Sequence, residues 1–203
     1  MIPYSYWPNY DKIIRKKIDK ILISGKTNYF NGKEGINFEK NFSKFYNVKY
    51  SNAVANASLG LELSLHSLNL SKDSEVLVTP RSYFSSVSCV ERVGLKPVFV
   101  DIDLKSMNIS PKYIEQSITK KTRAIICVHL YGMPCDMKEI KKISNKYNLR
   151  IIEDCSQAHG SKIGKKYVGS FGDIAVFSFC QDKIISTGGE GGMIVTNNKK
   201  LYE

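Results

Sequence analysis

No run in this 203-residue sequence approaches the roughly 18 consecutive apolar residues that a membrane-spanning helix needs. The opening residues, MIPYSYWPNYDK, lack the charged-then-apolar pattern of a secretory signal. Both absences point to a cytoplasmic protein with no membrane partner. There is no C-x-x-C pair. The five cysteines (Cys89, Cys127, Cys135, Cys155 and Cys180) are odd in number and scattered through mostly apolar segments, which argues against a disulfide frame and a zinc site and for reduced, core-filling thiols. Internal repeats, low-complexity tracts and runs of five or six like charges are also missing.

Acids are scarce relative to bases. Thirty Lys and Arg against 19 Asp and Glu leave a net charge of +11, which raises the question of a nucleic-acid partner. The lysines are interspersed with acids, however, and aromatic residues do not interleave with them as a single-strand binder requires. A lysine-rich surface serving an anionic small substrate accounts better for the excess.

The hydrophobic pattern then alternates. After an extended aromatic arm at residues 3–8, residues 11–23 place Ile13, Ile14, Ile18, Ile21 and Leu22 at helical spacing, and Ser24-Gly25 closes that helix. A polar loop, SGKTNYFNGKEG, leads to a second amphipathic helix with Phe38, Phe42 and Phe45 on one face. Short apolar strands are expected at 50–55, 75–79, 97–100, 123–128 and 149–153, with helices at 58–68, 82–93, 111–118 and 136–147 between them. Strand–helix–strand order predicts an α/β fold in three α/β/α layers around a mainly parallel, mixed sheet. Residues 197–203 read as the first turn of a helix, so a large domain incomplete at its C-terminus is expected.

Residues 151–196 concentrate the chemistry. Asp154 follows a strand, Gln157 lies three residues on, Ser178 ends the next apolar run, and Lys183 stands before a Gly-Gly-Glu-Gly-Gly turn at 188–192. Ligands of open α/β sheets bind beyond the carboxyl ends of the strands, so Asp154 and the 178–183 segment belong at one cleft. A lysine amine that condenses with an aldehyde, and an acid that keeps a pyridine nitrogen protonated, are what pyridoxal phosphate needs. Each residue alone also has a plain structural explanation: a solvated lysine, a turn aspartate, an ordinary glycine turn.

The combination Glu153-Asp154-x-x-Gln157-Ala158-His159-Gly160, Gly169-Ser170-x-Gly172-Asp173, Phe177-Ser178-Phe179-x-x-x-Lys183 and Gly189-Glu190-Gly191-Gly192-Met193 closely resembles the DegT/DnrJ/EryC1/StrS family of nucleotide-sugar aminotransferases. Further matches at Asn56-Ala57-Ser58, 75–80, Pro97-Val-Phe-Val-Asp101 and 128–132 extend the resemblance over nearly the whole chain.

The resemblance implies the large domain of the aspartate-aminotransferase fold at residues 36–203, preceded by an arm, helix and loop at 1–35, with a C-terminal small domain lacking. Pyridoxal 5'-phosphate is the implied cofactor. Lys183 is similar to the family's Schiff-base lysine, Asp154 to its pyridine-nitrogen partner, Gln157 to the residue near the ring hydroxyl and Ser178 to its phosphate-binding serine. Ala57 and Ser58 stand where the family has Gly-Thr at a phosphate-binding helix start, and Phe84 where a ring stacks on the cofactor. Phe84 could equally be core, and Ser58 an ordinary N-cap. His129 and His159 read as structural or pocket-lining.

The family's deoxygenating branch carries histidine in place of the lysine, so Lys183 favours transamination. The implied reaction moves an amino group, with glutamate as donor, to a keto sugar on a nucleoside diphosphate, for cell-surface polysaccharide or glycan synthesis, in a homodimer. The alternative is an inactive fragment that acts only by subunit association.

Overall fold

The computed structural model describes residues 7–203; most of the arm expected at 3–8 lies outside the described residues. In chain order the elements are α1 (Lys12–Ile23), α2 (Glu34–Tyr46), β1 (Tyr50–Val54), α3 (Ala57–Ser67), β2 (Glu75–Val78), α4 (Ser85–Arg92), β3 (Lys96–Phe99), α5 (Pro111–Ser117), β4 (Thr122–Val128), α6 (Met137–Tyr147) and β5 (Arg150–Asp154). They continue with the short hairpin β6 (Lys162–Ile163) and β7 (Lys166–Tyr167), then β8 (Ile174–Ser178), β9 (Gly192–Thr196) and α7 (Lys199–Tyr202).

Seven strands form one sheet in the order β1-β9-β8-β5-β4-β2-β3. β8, β5, β4, β2 and β3 run parallel, while β9 is antiparallel to both β8 and β1. The mainly parallel, mixed α/β sheet expected from the alternation is therefore what forms. Because both faces of the central strands β2, β4, β5 and β8 are covered, these are near-continuous buried runs whose side chains alternate between two cores, whereas the edge strands β1 and β3 are partly exposed. Val76, Val78, Ala124, Ile126, Ile152 and Val176 face α3 and α4 through Leu61, Leu65, Cys89 and Val90. Leu77, Ile125 and Ile151 point the other way, to Ile114 of α5 and Met137, Ile140 and Ile143 of α6. On that same side, farther along the sheet, Phe42 and Tyr46 of α2 pack on Ala175, Phe177, Phe179, Met193 and Val195.

Several local expectations are corrected. The helix expected at 82–93 starts only at Ser85; residues 82–84 are the turn that carries the chain from β2 to α4. On α2, Phe42 is buried but Phe45 is 56% exposed, because the helix rests on the sheet along a narrower stripe than the three phenylalanines span. Leu59 and Leu63 of α3, one turn apart, likewise face out. α1 buries none of its residues, so its isoleucine stripe is unpartnered among the described residues. The β6–β7 hairpin turns at Gly164, which has φ +61.

Glycine decides how close α3 comes to the sheet. A Cβ at Gly60 would lie 2.8 Å from Val176 Cγ1, and one at Gly192 would lie 2.7 Å from the Asn56 carbonyl carbon. These two positions seat the N-terminus of α3 directly against β8 and β9.

Phe177 ties the second core to the sheet, with ring centroids 5.0 Å from Phe42, 4.6 Å from Tyr46 and 5.6 Å from His159. Phe177→Ala is expected to cost about 3–5 kcal/mol of unfolding free energy, read from the urea midpoint at constant m value; a loss below about 1 kcal/mol would mean that this cluster does not hold α2 in place.

Candidate functional site

Beyond the carboxyl ends of β4, β5 and β8 lies a cavity of about 520 Å3. Asp154 reaches it because it is the last residue of β5, and Ser178 because it is the last residue of β8, two parallel neighbours whose ends lie side by side. Asp154 is buried, 5% exposed. Its Oδ2 accepts a hydrogen bond from Ser86 Oγ at 2.8 Å and its Oδ1 one from the Ser156 N–H at 3.1 Å. Gln157 Oε1 accepts from the Tyr131 N–H at 2.9 Å. A backbone N–H can only donate, so this bond assigns the amide orientation and leaves the Gln157 NH2 free to donate elsewhere.

The N-terminus of α3 supplies another side of the cavity. Asn56 caps it, its Oδ1 accepting from the Leu59 N–H at 2.9 Å. Ser58 is therefore not the cap, and its hydroxyl instead meets Ser85 Oγ at 2.7 Å across the gap to α4. Ala57 and Ser58 thus stand in the first turn of an 11-residue helix, where backbone N–H groups without helical acceptors attract anions.

Lys183 is carried by the segment between β8 and β9. This segment is knit to itself by Phe179 N–H to Gly191 O (2.8 Å), Gln181 N–H to Gly189 O (2.9 Å) and Lys183 N–H to Cys180 O (3.0 Å). The N-terminal stretch braces it from outside: the Trp7 indole N–H donates to Lys183 O at 3.1 Å, and the Tyr10 hydroxyl donates to Thr187 O. The Lys183 side chain is 18% exposed, with Nζ 2.9 Å from Asp182 Oδ2 and 6.0 Å from the Tyr83 ring centre. That ion pair holds the Asp182 carboxyl below its ordinary range.

Six of the seven residues singled out from the sequence, Ala57, Ser58, Asp154, Gln157, Ser178 and Lys183, line this one cavity. Phe84 does not: it is the N-cap of α4, 78% exposed, and its backbone turn directs Ser82, Tyr83, Ser85 and Ser86 to the cavity instead. Those four residues and Asp182 were not singled out from the sequence, and Asn56 and Glu190 stood in its motifs without a site role. The signal available for the residues between 82 and 86 was the serine-rich run at 82–88 directly after a strand.

Neither His129 nor His159 lines the cavity. His129 is fully buried, its Nδ1 accepting from the Cys135 N–H at 3.0 Å and its Nε2 lying 3.0 Å from Glu153 Oε2. The Nδ1 bond needs a lone pair, so the ring is the neutral tautomer and donates from Nε2 to Glu153. Glu153 also accepts N–H groups of Gly169 (2.8 Å), Phe171 (2.7 Å) and Gly172 (2.6 Å). Burial pushes the Glu153 carboxyl up, but the His129 bond and those of Gly172 and Gly169 outweigh it and hold it below its usual range. Cys155 Sγ lies beside this pair, with the three potential ligand atoms within 4.8 Å of one another; the saturated carboxylate makes the group a structural hub.

His159 sits against Phe177 and Phe179, and neither of its nitrogens has a hydrogen-bond partner among the described residues. Burial pushes its pKa down to about 4, with the Lys183 charge acting in the same direction and the Ser178 backbone opposing.

The profile of the DegT/DnrJ/EryC1/StrS aminotransferase family matches residues 8–203. The chain is 45% identical over 190 residues to GDP-perosamine synthase of Escherichia coli O157:H7, covering 94% of this chain and 50% of that protein. It is 41% identical over 194 residues to dTDP-3-amino-3,6-dideoxy-alpha-D-galactopyranose transaminase of Aneurinibacillus thermoaerophilus, covering 96% and 53%. A crystal structure of the aminotransferase from Psychrobacter cryohalolentis superposes with a TM-score of 0.96 at 44% identity, over 98% of this chain and 51% of that one. The chain spans about half the length of the curated relatives it matches.

Acid should weaken the fold through His159. The unfolded chain takes up this proton as pH falls through 6.5, whereas the folded chain resists until about 4, so stability drops across that window. The expected loss is about 2–4 kcal/mol. Glu153, depressed in the folded state, removes its share only as pH falls through and below the ordinary carboxylate range. Guanidinium unfolding at several pH values should show His159→Phe with a flatter profile between pH 6.5 and 4 than the unsubstituted chain; parallel profiles would remove His159 from this role.

Proposed function

The chain belongs to the DegT/DnrJ/EryC1/StrS aminotransferase family, and from that premise we propose that it carries the cofactor-binding unit of a pyridoxal-phosphate-dependent aminotransferase acting on a keto sugar linked to a nucleoside diphosphate. The observation that carries the reading is that Asp154 and Lys183, 29 positions apart (183 − 154), line the same cavity, with the N-terminus of α3 and Ser178 beside them.

The residues present fit the cofactor. An acid and an amine share one recess, and the close approach allowed by Gly60 and Gly192 brings the start of α3 to it as an anion site. When bound, pyridoxal phosphate supplies an aldehyde and an electron-withdrawing ring. Ala57 and Ser58 would hold the phosphate through backbone N–H groups and a hydroxyl, with Ser178 adding a second hydroxyl. Asp154 would hold a proton at the pyridine nitrogen, as a buried carboxylate facing a cation is stabilised in its charged form. Gln157 would offer its NH2 to the ring hydroxyl. Lys183 Nζ, once released from Asp182, would be the amine that holds the cofactor and the base that moves the proton at the substrate carbon.

The relatives' names support a nucleotide-sugar substrate, and a net charge of +11 suits a doubly anionic one. Glutamate as amino donor, a cytoplasmic setting and a role in surface polysaccharide or glycan synthesis complete the reading. Two copies are expected to associate over the open side of the cavity, where Leu59 and Tyr83 combine exposure with a place in its lining. Residues 36–203 are taken as the cofactor-binding unit and 1–35 as an appended arm, helix and loop. The rival reading is association with other subunits without turnover.

Incubation with pyridoxal phosphate should give visible absorbance that borohydride fixes as a covalent adduct, mapped by peptide mass to Lys183. Lys183→Ala should lose that adduct, and Asp154→Asn should weaken it at least about tenfold, since it removes a charge-assisted bond. Adduct formation at the cavity in Lys183→Ala would overturn the assignment. Cofactor binding without amino transfer to any nucleotide keto sugar would favour the rival.

A further inference from the structure

The run of serines at the start of α4 does more than turn the chain. Ser86 is 1% exposed and donates to Asp154 Oδ2 at 2.8 Å; Ser82 Oγ lies 2.7 Å from Ser86 Oγ. A serine hydroxyl has one proton, and an ionised carboxylate only accepts. With the Ser86 proton given to Asp154, the 2.7 Å contact must be a donation from Ser82. Direction therefore runs one way, from Ser82 to Ser86 to Asp154. The opposite carboxylate oxygen is held by the Ser156 N–H at 3.1 Å. Both oxygens of Asp154 are pinned from protein groups on different elements, α4 and the turn after β5, so the carboxylate plane cannot rotate without breaking one bond.

We propose that Ser86 is a positioning residue that sets the orientation of the Asp154 carboxylate toward the cavity, with Ser82 as its orienting donor. The catalytic meaning of this rests on the reading that Asp154 faces the cofactor's ring nitrogen; the orientation itself does not. A bond from a partner 68 residues away joins the first turn of α4 to the end of β5, so the placement of a helix start after β2 governs the aim of an acid on a strand two places over in the sheet. Each oxygen keeps a lone pair for a further donor, and fixed aim means that no reorientation is needed when that donor arrives.

The test has two arms. In the cofactor-free chain, amide hydrogen exchange by NMR reads the Ser156 N–H, whose acceptor is Asp154, against the Cys155 N–H, which bonds Val176 O at 2.8 Å and reports the sheet. Ser86→Ala should speed Ser156 exchange on the order of tenfold while leaving Cys155 exchange unchanged. Ser82→Ala, which leaves the Ser86 bond in place, should change Ser156 by less than about threefold. Unchanged Ser156 exchange in Ser86→Ala, or equal acceleration at Cys155, overturns the proposal.

In the second arm, pyridoxal phosphate is titrated and the pH profile of the bound chromophore recorded. Ser86→Ala should weaken binding about tenfold and shift the profile, and Ser82→Ala should do so less. A Ser86→Ala protein with unsubstituted affinity and profile also overturns the role. If the unsubstituted chain binds no cofactor while Ser156 exchange responds as expected, it is the functional reading that fails and the positioning role that stands.

Discussion

β5 ends on two adjacent carboxylates that strand geometry sends to opposite faces of the sheet. Glu153 points away from the cavity and is consumed entirely by structure: one imidazole N–H and three backbone N–H groups converge on it. Asp154 points into the cavity and keeps capacity for a ligand. The first arrangement makes the second possible. Because Glu153 fastens residues 169–172, the chain leading into β8 has a defined start, and Ser178 emerges beside Asp154. Gly169, at φ +87 and with no room for a Cβ against Phe177 at 2.6 Å, is part of the same joint. A buried charge of this kind is tolerated only when its lone pairs are filled, and here they are.

The opposite wall depends on absence of side chain. α3 lies against β8 and β9 because Gly60 and Gly192 offer no Cβ, and its cap is Asn56, which frees Ser58 for the cavity. α4 packs alongside, and its N-terminal serines meet both Ser58 and Asp154. Two helix starts and two strand ends therefore converge on one volume. None of the four could shift alone without breaking a bond that crosses between elements.

The lysine is held differently. Its segment has few buried contacts and relies on backbone bonds within the loop and on the N-terminal stretch, through Trp7 and Tyr10. Segments of this sort open most readily. That suits a side chain proposed to change partners, its present one being Asp182.

Much of this was legible beforehand, for reasons that can be named. Strands buried on both faces leave apolar runs, and helices between them leave stripes at 3.6-residue spacing, so the α/β sheet could be read. Asp154, Gln157, Ser178 and Lys183 sit at strand ends or beside glycine turns, where local pattern and tertiary position coincide. Phe84 and Phe45 show the limit: an aromatic residue at a helix boundary or on a broad stripe has no local property that says which way it points. Ser86 was invisible because a serine in a helix start looks like any other until its acceptor, far along the chain, is brought to it. What the residues alone dictate is the order of elements and the types of chemical group available, since these follow from periodicity and side-chain chemistry. Which hydroxyl meets which carboxylate, and which histidine is structural, was left to the packed chain, because those contacts join segments that only the closed sheet brings within 3 Å.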